Sequence, residues 1–244
     1  QEVVLMPGTY GFLYGGDSTL LYIVLVVPAL ILSVIAQIAV KKAFSSYSGV
    51  YSKSGYSGAQ AAEAVLRFYN ITNVRIEMCS GKLTDHFDPR TNVIRLSEAV
   101  YSSTSIAAIG VACHEAGHAA QYAQSYVPIK IRNAILPVCR IGSYAGIPLA
   151  LLGLFLSFQP LVTVGLLLYS FIMLFQLATL PVEMNASRRA MSVIEQTGLL
   201  RDENELAGAK KVLRAAASTY IAALAVSLAN LLRFVVMFNN RRRR

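Results

Sequence analysis

Four stretches of the 244-residue chain are nearly free of charge, and the segments between them carry the polar residues in shorter, mixed patterns. Thr19 to Val40 runs 22 residues without a formal charge, and at about 1.5 Å per residue a helix of that length crosses the hydrocarbon of a bilayer. Pro28 and Gln37 inside it are compatible with a spanning helix. Ile141 to Phe158 and Leu161 to Leu180 are two further uncharged runs joined at Gln159-Pro160. So short a joint predicts a tight antiparallel hairpin. Ala215 to Leu232 is richer in alanine and is followed by Arg233 and a second apolar patch, Phe234 to Phe238. It reads as a fourth span or as a partly embedded interfacial helix.

The polar segments predict a small mixed fold. Ser45 to Gly58 is rich in Ser, Gly and Tyr without periodicity and reads as a linker leaving the membrane. From Ser57 the spacing of Ala61, Val65, Leu66 and Tyr69 predicts a helix that Asn70 ends. Val74 to Cys79 and Val93 to Ser97 read as short strands, separated by the turn formers of Thr84 to Asn92. Ser97-Glu98 opens a short helix, and Ser105 leads into a longer one over Ile106 to Tyr122. The expected fold is thus a mainly α membrane protein with about four transmembrane helices and a small α+β domain. Its parts are a first span over 19–40, the α+β domain over 44–140 and the hairpin over 141–180. A helix and polar segment over 181–214, a fourth apolar helix over 215–238 and a basic tail over 239–244 complete the chain.

Composition and charge agree with a place in the bilayer. Hydrophobic residues make up 55% of the chain and charged ones 14%, with a mean hydropathy of +0.51, outside the balance of soluble domains. Residues 1 to 18 hold no basic stretch and no small-residue cleavage site follows the first run, so that run is expected to stay as an anchor. Most of the 22 Lys and Arg lie between spans one and two or between three and four. By the positive-inside tendency both connections face the cytoplasm. The run Arg241 to Arg244 falls on the opposite side if the fourth segment crosses, so either that segment does not fully cross or the earlier loops outvote the tail. The tail reads as a solvated end meeting lipid phosphates, with no nucleic acid as partner. Cys79, Cys113 and Cys139 form no CxxC pair, which fits a reducing compartment, and Cys113 reads as a packing residue.

The long helix over 106–122 carries His114-Glu115-Ala116-Gly117-His118, the HExxH arrangement. At about 100° per residue, histidines four apart lie on one face and can offer two imidazole nitrogens to a single ion. Glu115 stands beside that ion, where a carboxylate can take a proton from water and return it to a leaving amine. Only three histidines exist in the chain and two are used in this pair. Small neighbours (Ala112, Ala116, Gly117, Ala119, Ala120) let other helices approach closely.

A catalytic zinc takes three protein ligands and keeps one open position. No histidine follows His118, so the third ligand is a carboxylate or, from upstream, His86. Glu183 stands out among the acids because it follows Pro181 where the third apolar run ends, and a carboxylate at a membrane boundary is costly unless paired or coordinated. Ser187, one helical turn on, can hold a ligating histidine or Glu183 itself. Arg188 and Arg189 can neutralise a substrate carboxylate or a developing oxyanion, or snorkel to lipid phosphate. Asn185 lies in the same segment and is grouped with Ser187, His86 and Arg188 as a residue supporting the metal or meeting substrate. His86 reads as a surface residue in preference to an oxyanion donor. Asn92, Val93, Ile94 and Arg95 open a strand whose free edge can hold an extended peptide, with an ordinary paired strand as the equal alternative.

HEAGHAAQ at 114–121, LTDHFDPRTNVIRLSEAVY at 83–101 and LPVEMNASRRA at 180–190 together resemble the bacterial, membrane-embedded YugP-type or neutral zinc metallopeptidase family. The resemblance covers the chain from the first anchor to about Lys211. It implies a gluzincin-like, zincin-type domain with His114, His118 and Glu183 on one Zn2+ per chain and Glu115 as catalytic base. More distantly the layout is similar to HtpX-type and CAAX prenyl endopeptidases, which carry an aspartate where this chain has Ser187. The expected function is a multi-pass zinc endopeptidase of the bacterial cytoplasmic membrane. It would cut membrane or membrane-proximal proteins, with its active site on the cytoplasmic face and the lipid bilayer and a protein or peptide substrate as partners. The alternative is a non-catalytic, metal-stabilised membrane scaffold or adaptor, which requires a fourth protein ligand. A homo-oligomer or a membrane partner protein is compatible with either.

Overall fold

The computed structural model describes Leu20, Tyr22–Gly81 and Leu83–Arg242, with side chains through Val236. Thr19, the first residue of the expected first span, and Arg243 and Arg244 of the basic tail lie outside the described residues. A π-helical turn, Tyr22–Val26, opens helix α1, Val27–Ser48. Then come α2 (Gly58–Phe68), β1 (Arg75–Cys79), β2 (His86–Asp88), β3 (Val93–Ser97), α3 (Glu98–Tyr101) and α4 (Ile106–Ala123). Three long helices follow: α5 (Val127–Phe155), α6 (Gln159–Thr197) and α7 (Glu203–Arg242). Among the described residues four helices are long and apolar enough to cross a membrane, Tyr22–Ser48, Val127–Phe155, Gln159–Thr197 and Glu203–Val236. The chain is therefore mainly helical with a small sheet.

The helix starts follow their caps. The Ser57 side chain accepts from the Gln60 N–H while the Gln60 side chain accepts from the Ser57 N–H, a reciprocal box that satisfies two orphan donors of α2. Ser105 caps α4 by accepting from Ala108. Asn70 takes a left-handed conformation (φ 55°) just past α2, as an asparagine can where a helix stops.

By contacts the chain forms two compact units. One comprises the residues up to Val34, Val138–Met173 and the residues from Ala222. Within it the expected hairpin is present: α5 turns into α6 through Ser157 (φ 51°). A Cβ added at Gly165 would lie 2.5 Å from the Ala150 nitrogen and 2.6 Å from the Gly146 carbonyl oxygen. Helices packed through small residues in this way gain close van der Waals contact where lipid offers no hydrophobic drive.

The other unit is Ile35–Pro137 with Leu174–Ile221. Its core gathers Val65, Ile94, Leu96, Ile109, Ile194 and Leu200, each 1% exposed or less. Burying each such side chain stabilises by about 1.5–3 kcal/mol. The sheet order is β1-β3-β2, with β1 parallel and β2 antiparallel to β3.

Several expectations are corrected by this arrangement. The strand beginning at Asn92, with Val93, Ile94 and Arg95, offers no free edge, because β3 is the central strand and pairs on both sides. Ile94 and Leu96 join the core, and Val93 and Ser97 on the opposite face are buried as well, as suits the middle strand. The outer edges belong to β1 and to β2, the latter in a segment whose Asp, Pro, Thr and Asn read as turn. The end of α1 reaches Ser48, so the expected linker begins later than Ser45. Helix α6 continues through Pro181, so the third apolar run and the Glu183 segment form one helix of 39 residues. Glu205 is 5% exposed and accepts from the backbone N–H groups of Lys53, Arg201 and Asp202.

Candidate metal centre

The centre is built on α4, which packs against α2 and the sheet and so presents a fixed face. His114 and His118, one turn apart, bring their rings edge to face with centroids 4.7 Å apart. Glu183 comes from α6 and is 5% exposed. Its Oε2 lies 3.3 Å from His114 Nε2 and 3.4 Å from His118 Nε2. That oxygen is buried and has no hydrogen-bond partner. Two imidazole nitrogens and a carboxylate oxygen, all within 4.8 Å of one another, form a group that could hold a metal ion. The tetrahedral edge of an ion bound at about 2.0–2.1 Å is roughly 3.3–3.4 Å. The His–Glu separations match that edge, and the partnerless oxygen is the one that faces both rings, so the residues fit zinc.

Close approach of α4 and α6 depends on Gly117. A Cβ there would lie 2.7 Å from the Ala186 carbonyl oxygen. Glycine thus lets two backbones meet beside the ligands, one carrying His118 and the other Glu183.

Each ligand is held from behind, and such outer partners orient ligands and tune their basicity. Ser187 Oγ lies 3.1 Å from His114 Nδ1. Gln121, fully buried, places Oε1 3.0 Å from His118 Nδ1 and donates through Nε2 to the Val182 carbonyl and to Asn185 Oδ1. Asn185 Oδ1 also accepts from Arg189 Nε at 2.7 Å, and Arg189 Nη1 donates to Gln124 Oε1 at 2.6 Å. Arg132 Nη1 stands 3.6 Å from Glu183 Oε1, the carboxylate oxygen turned away from the histidine pair.

Glu115 is pinned differently. Its Oε2 accepts from the Phe87 N–H of β2 at 3.0 Å. Burial pushes its carboxyl above the ordinary range, while His114 and His118 beside it pull the other way. Asp85, just before β2, accepts from the Ser97 N–H at 2.7 Å and from Ser97 Oγ, which ties the start of β2 to the end of β3. A cleft of about 160 Å³ runs past His114, Glu115, Glu183, Ser187, Asp85 and Tyr220.

The structure thus brings together His114, Glu115, His118 and Glu183, with Ser187 and Asn185 in support. His86 is exposed, its Nδ1 2.7 Å from the Thr84 carbonyl oxygen, and it does not reach the cluster. Arg188 is exposed on a neighbouring groove. Cys113 is buried, its Sγ 3.7 Å from the Ala61 carbonyl oxygen, as a packing residue should be. Sequence reasoning missed Gln121, Arg132 and Tyr220. The spacing of Gln121, three residues after His118 on one face, was the available signal for the first. Nothing local marks the other two.

Residues 22–239 match the family described as "Putative neutral zinc metallopeptidase". The chain is 47% identical over 223 residues to a protein of Bacillus subtilis (strain 168) named "Putative membrane protease YugP", an alignment covering 91% of this chain and 99% of that protein. No solved structure matches the chain. With a zinc-fitting cluster, four helices able to cross a membrane and a family match over most of its length, the chain belongs to the neutral zinc metallopeptidase family.

Proposed function

We propose that the protein is an integral membrane endopeptidase with one zinc ion per chain, held by His114, His118 and Glu183. Its α4 and three-stranded sheet would form a zincin-like, gluzincin-type domain. The observation that carries this reading is the convergence of Nε2, Nε2 and Oε2 on one point beside Glu115. No further His, Cys, Asp or Glu joins the group among the described residues, which favours an open coordination position over a closed scaffold site.

Zinc held there supplies a Lewis acid that acidifies water and polarises the carbonyl of a scissile amide. Glu115, anchored through Oε2 to the Phe87 N–H, keeps Oε1 without a hydrogen bond among the described residues. That oxygen takes the proton of the attacking water and passes it to the departing amine nitrogen. Val40, Phe44, Val111 and Ala216 line the cleft and limit bulk water, which strengthens electrostatic contacts inside it. Ser187 and Gln121 fix the ring orientation of the two histidines throughout. The purified protein should contain one zinc per chain, lose peptide hydrolysis on chelation and regain it with zinc. Undiminished cleavage by a metal-free preparation would reject the reading.

The substrates are peptide bonds of membrane or membrane-proximal proteins, and the Lys and Arg distribution supports a site on the cytoplasmic face of the bacterial membrane. Cys79 is the partly exposed thiol, whereas Cys113 and Cys139 are buried. An impermeant thiol reagent should therefore label Cys79 only after cells are opened. Labelling in intact cells would reverse the orientation.

A further inference from the structure

Ser187, Leu213 and Ala217 line both the metal cleft and a second, wider groove of about 470 Å³ between α6 and α7. The two spaces are therefore neighbours, sharing these three residues as lining. Three cations border it, Arg188 from α6 and Lys210 and Arg214 from α7, against one acid, Glu195. None of the three cations makes a hydrogen bond or ion pair among the described residues. Elsewhere in the same unit Lys53 pairs with Asp202, Arg67 with Glu63 and Arg95 with Asp88. Met184 and Met191 supply an apolar, adaptable wall beside the cations.

An unpaired exposed cation is satisfied by water, so lack of a partner alone points nowhere. Three of one sign on a groove that adjoins the metal cleft raise the local concentration of anions there. An extended chain advances about 3.3 Å per residue, so a polypeptide whose scissile bond lies at the cluster reaches the groove within a few residues. A continuation of the substrate chain fits this lining if it is apolar enough to lie on methionine and acidic enough to face arginine.

We infer that the groove bordered by Arg188, Lys210 and Arg214 is a substrate subsite selecting polypeptide segments with Asp or Glu a few residues from the bond to be cut. This rests on the peptidase reading above. Carboxylates of the substrate meet the cations, and attraction weakens with salt because the site is open to solvent.

The test uses the full-length protein in phosphatidylcholine nanodiscs and pairs of peptides that differ only by Glu or Lys at positions two to five from the cleaved bond. The wild type should prefer Glu about tenfold in kcat/KM at one such position, a difference equivalent to about 1.4 kcal/mol. The double variant Arg188→Glu/Arg214→Glu should invert that preference. In the Glu115→Gln protein, fluorescence anisotropy should show the same order of peptide affinity, inverted by the same two changes. A wild type indifferent to the charge, or a preference that survives reversal, overturns the inference. So does a double variant altered only in its response to anionic lipid, which would make the groove a headgroup site. If no peptide is cut while charge-selective binding persists, the peptidase reading fails and only a groove that binds acidic peptides stands.

Discussion

Glu115→Gln should bind zinc as the parent does and lose about 10²–10⁴-fold in peptide hydrolysis. The carboxylate contributes no atom to the ligand cluster, which consists of His114, His118 and Glu183. Glutamine keeps an oxygen that can accept from the Phe87 N–H, so β2 should stay against α4. What the amide lacks is basicity: it cannot take a proton from water or carry one to the leaving amine. The loss should fall on kcat with KM little changed, because the residue acts in the transition state more than in binding. Metal analysis together with steady-state kinetics checks both halves. A variant that holds zinc and still cuts at the parental rate removes Glu115 from the mechanism.

Gly117→Ala should weaken zinc binding by about 10–100-fold, as displaced support of a ligand does. The added methyl group would meet the Ala186 carbonyl oxygen at 2.7 Å, its carbonyl carbon at 3.3 Å and its Cα at 3.4 Å. All three are backbone atoms, so no rotamer change relieves the contact and α4 must move away from α6. The metal tolerates only about 0.2 Å in its ligand distances, and Glu183 lies three residues from Ala186. Overpacking at such a contact should also lower stability by about 1–3 kcal/mol. Gly110 on the same helix is the control. A Cβ there would meet Ala209 no closer than 3.8 Å, so Gly110→Ala should leave zinc affinity unchanged. Competition titration with a chromogenic chelator separates the two, and equal affinities would mean that the α4–α6 contact does not set the ligand spacing.

Features carried by local period and chemical scarcity were legible in the chain. The apolar runs declare themselves, and α4 runs as its spacing and its Ser105 cap predict. Glu183 could be singled out because few acids exist and only one stands at the end of an apolar run. Features decided by distant partners were not legible. Strand order depends on which faces are buried, and of the two equal readings of β3, free edge or ordinary paired strand, pairing on both sides leaves the second. β2 itself has three residues, fewer than a periodic signal needs. Pro181 suggested a boundary, yet α6 passes through it, and proline in a helix that continues into a membrane run is tolerated when neighbours satisfy the freed groups. Arg132 and Tyr220 lie on other helices, and only the fold brings them near Glu183.

The third ligand rides on the same helix as the second half of the hairpin. In order of synthesis, His114 and His118 appear first, and the carboxylate follows only after α5 and more than half of α6 have been made. Until then the nascent chain owns two imidazoles on one turn, a weak and incomplete chelate. On the reading proposed above, hydrolytic competence would arrive only once the hairpin has been made. On that reading a translation product ending before residue 183 would lack one of its three metal-holding groups.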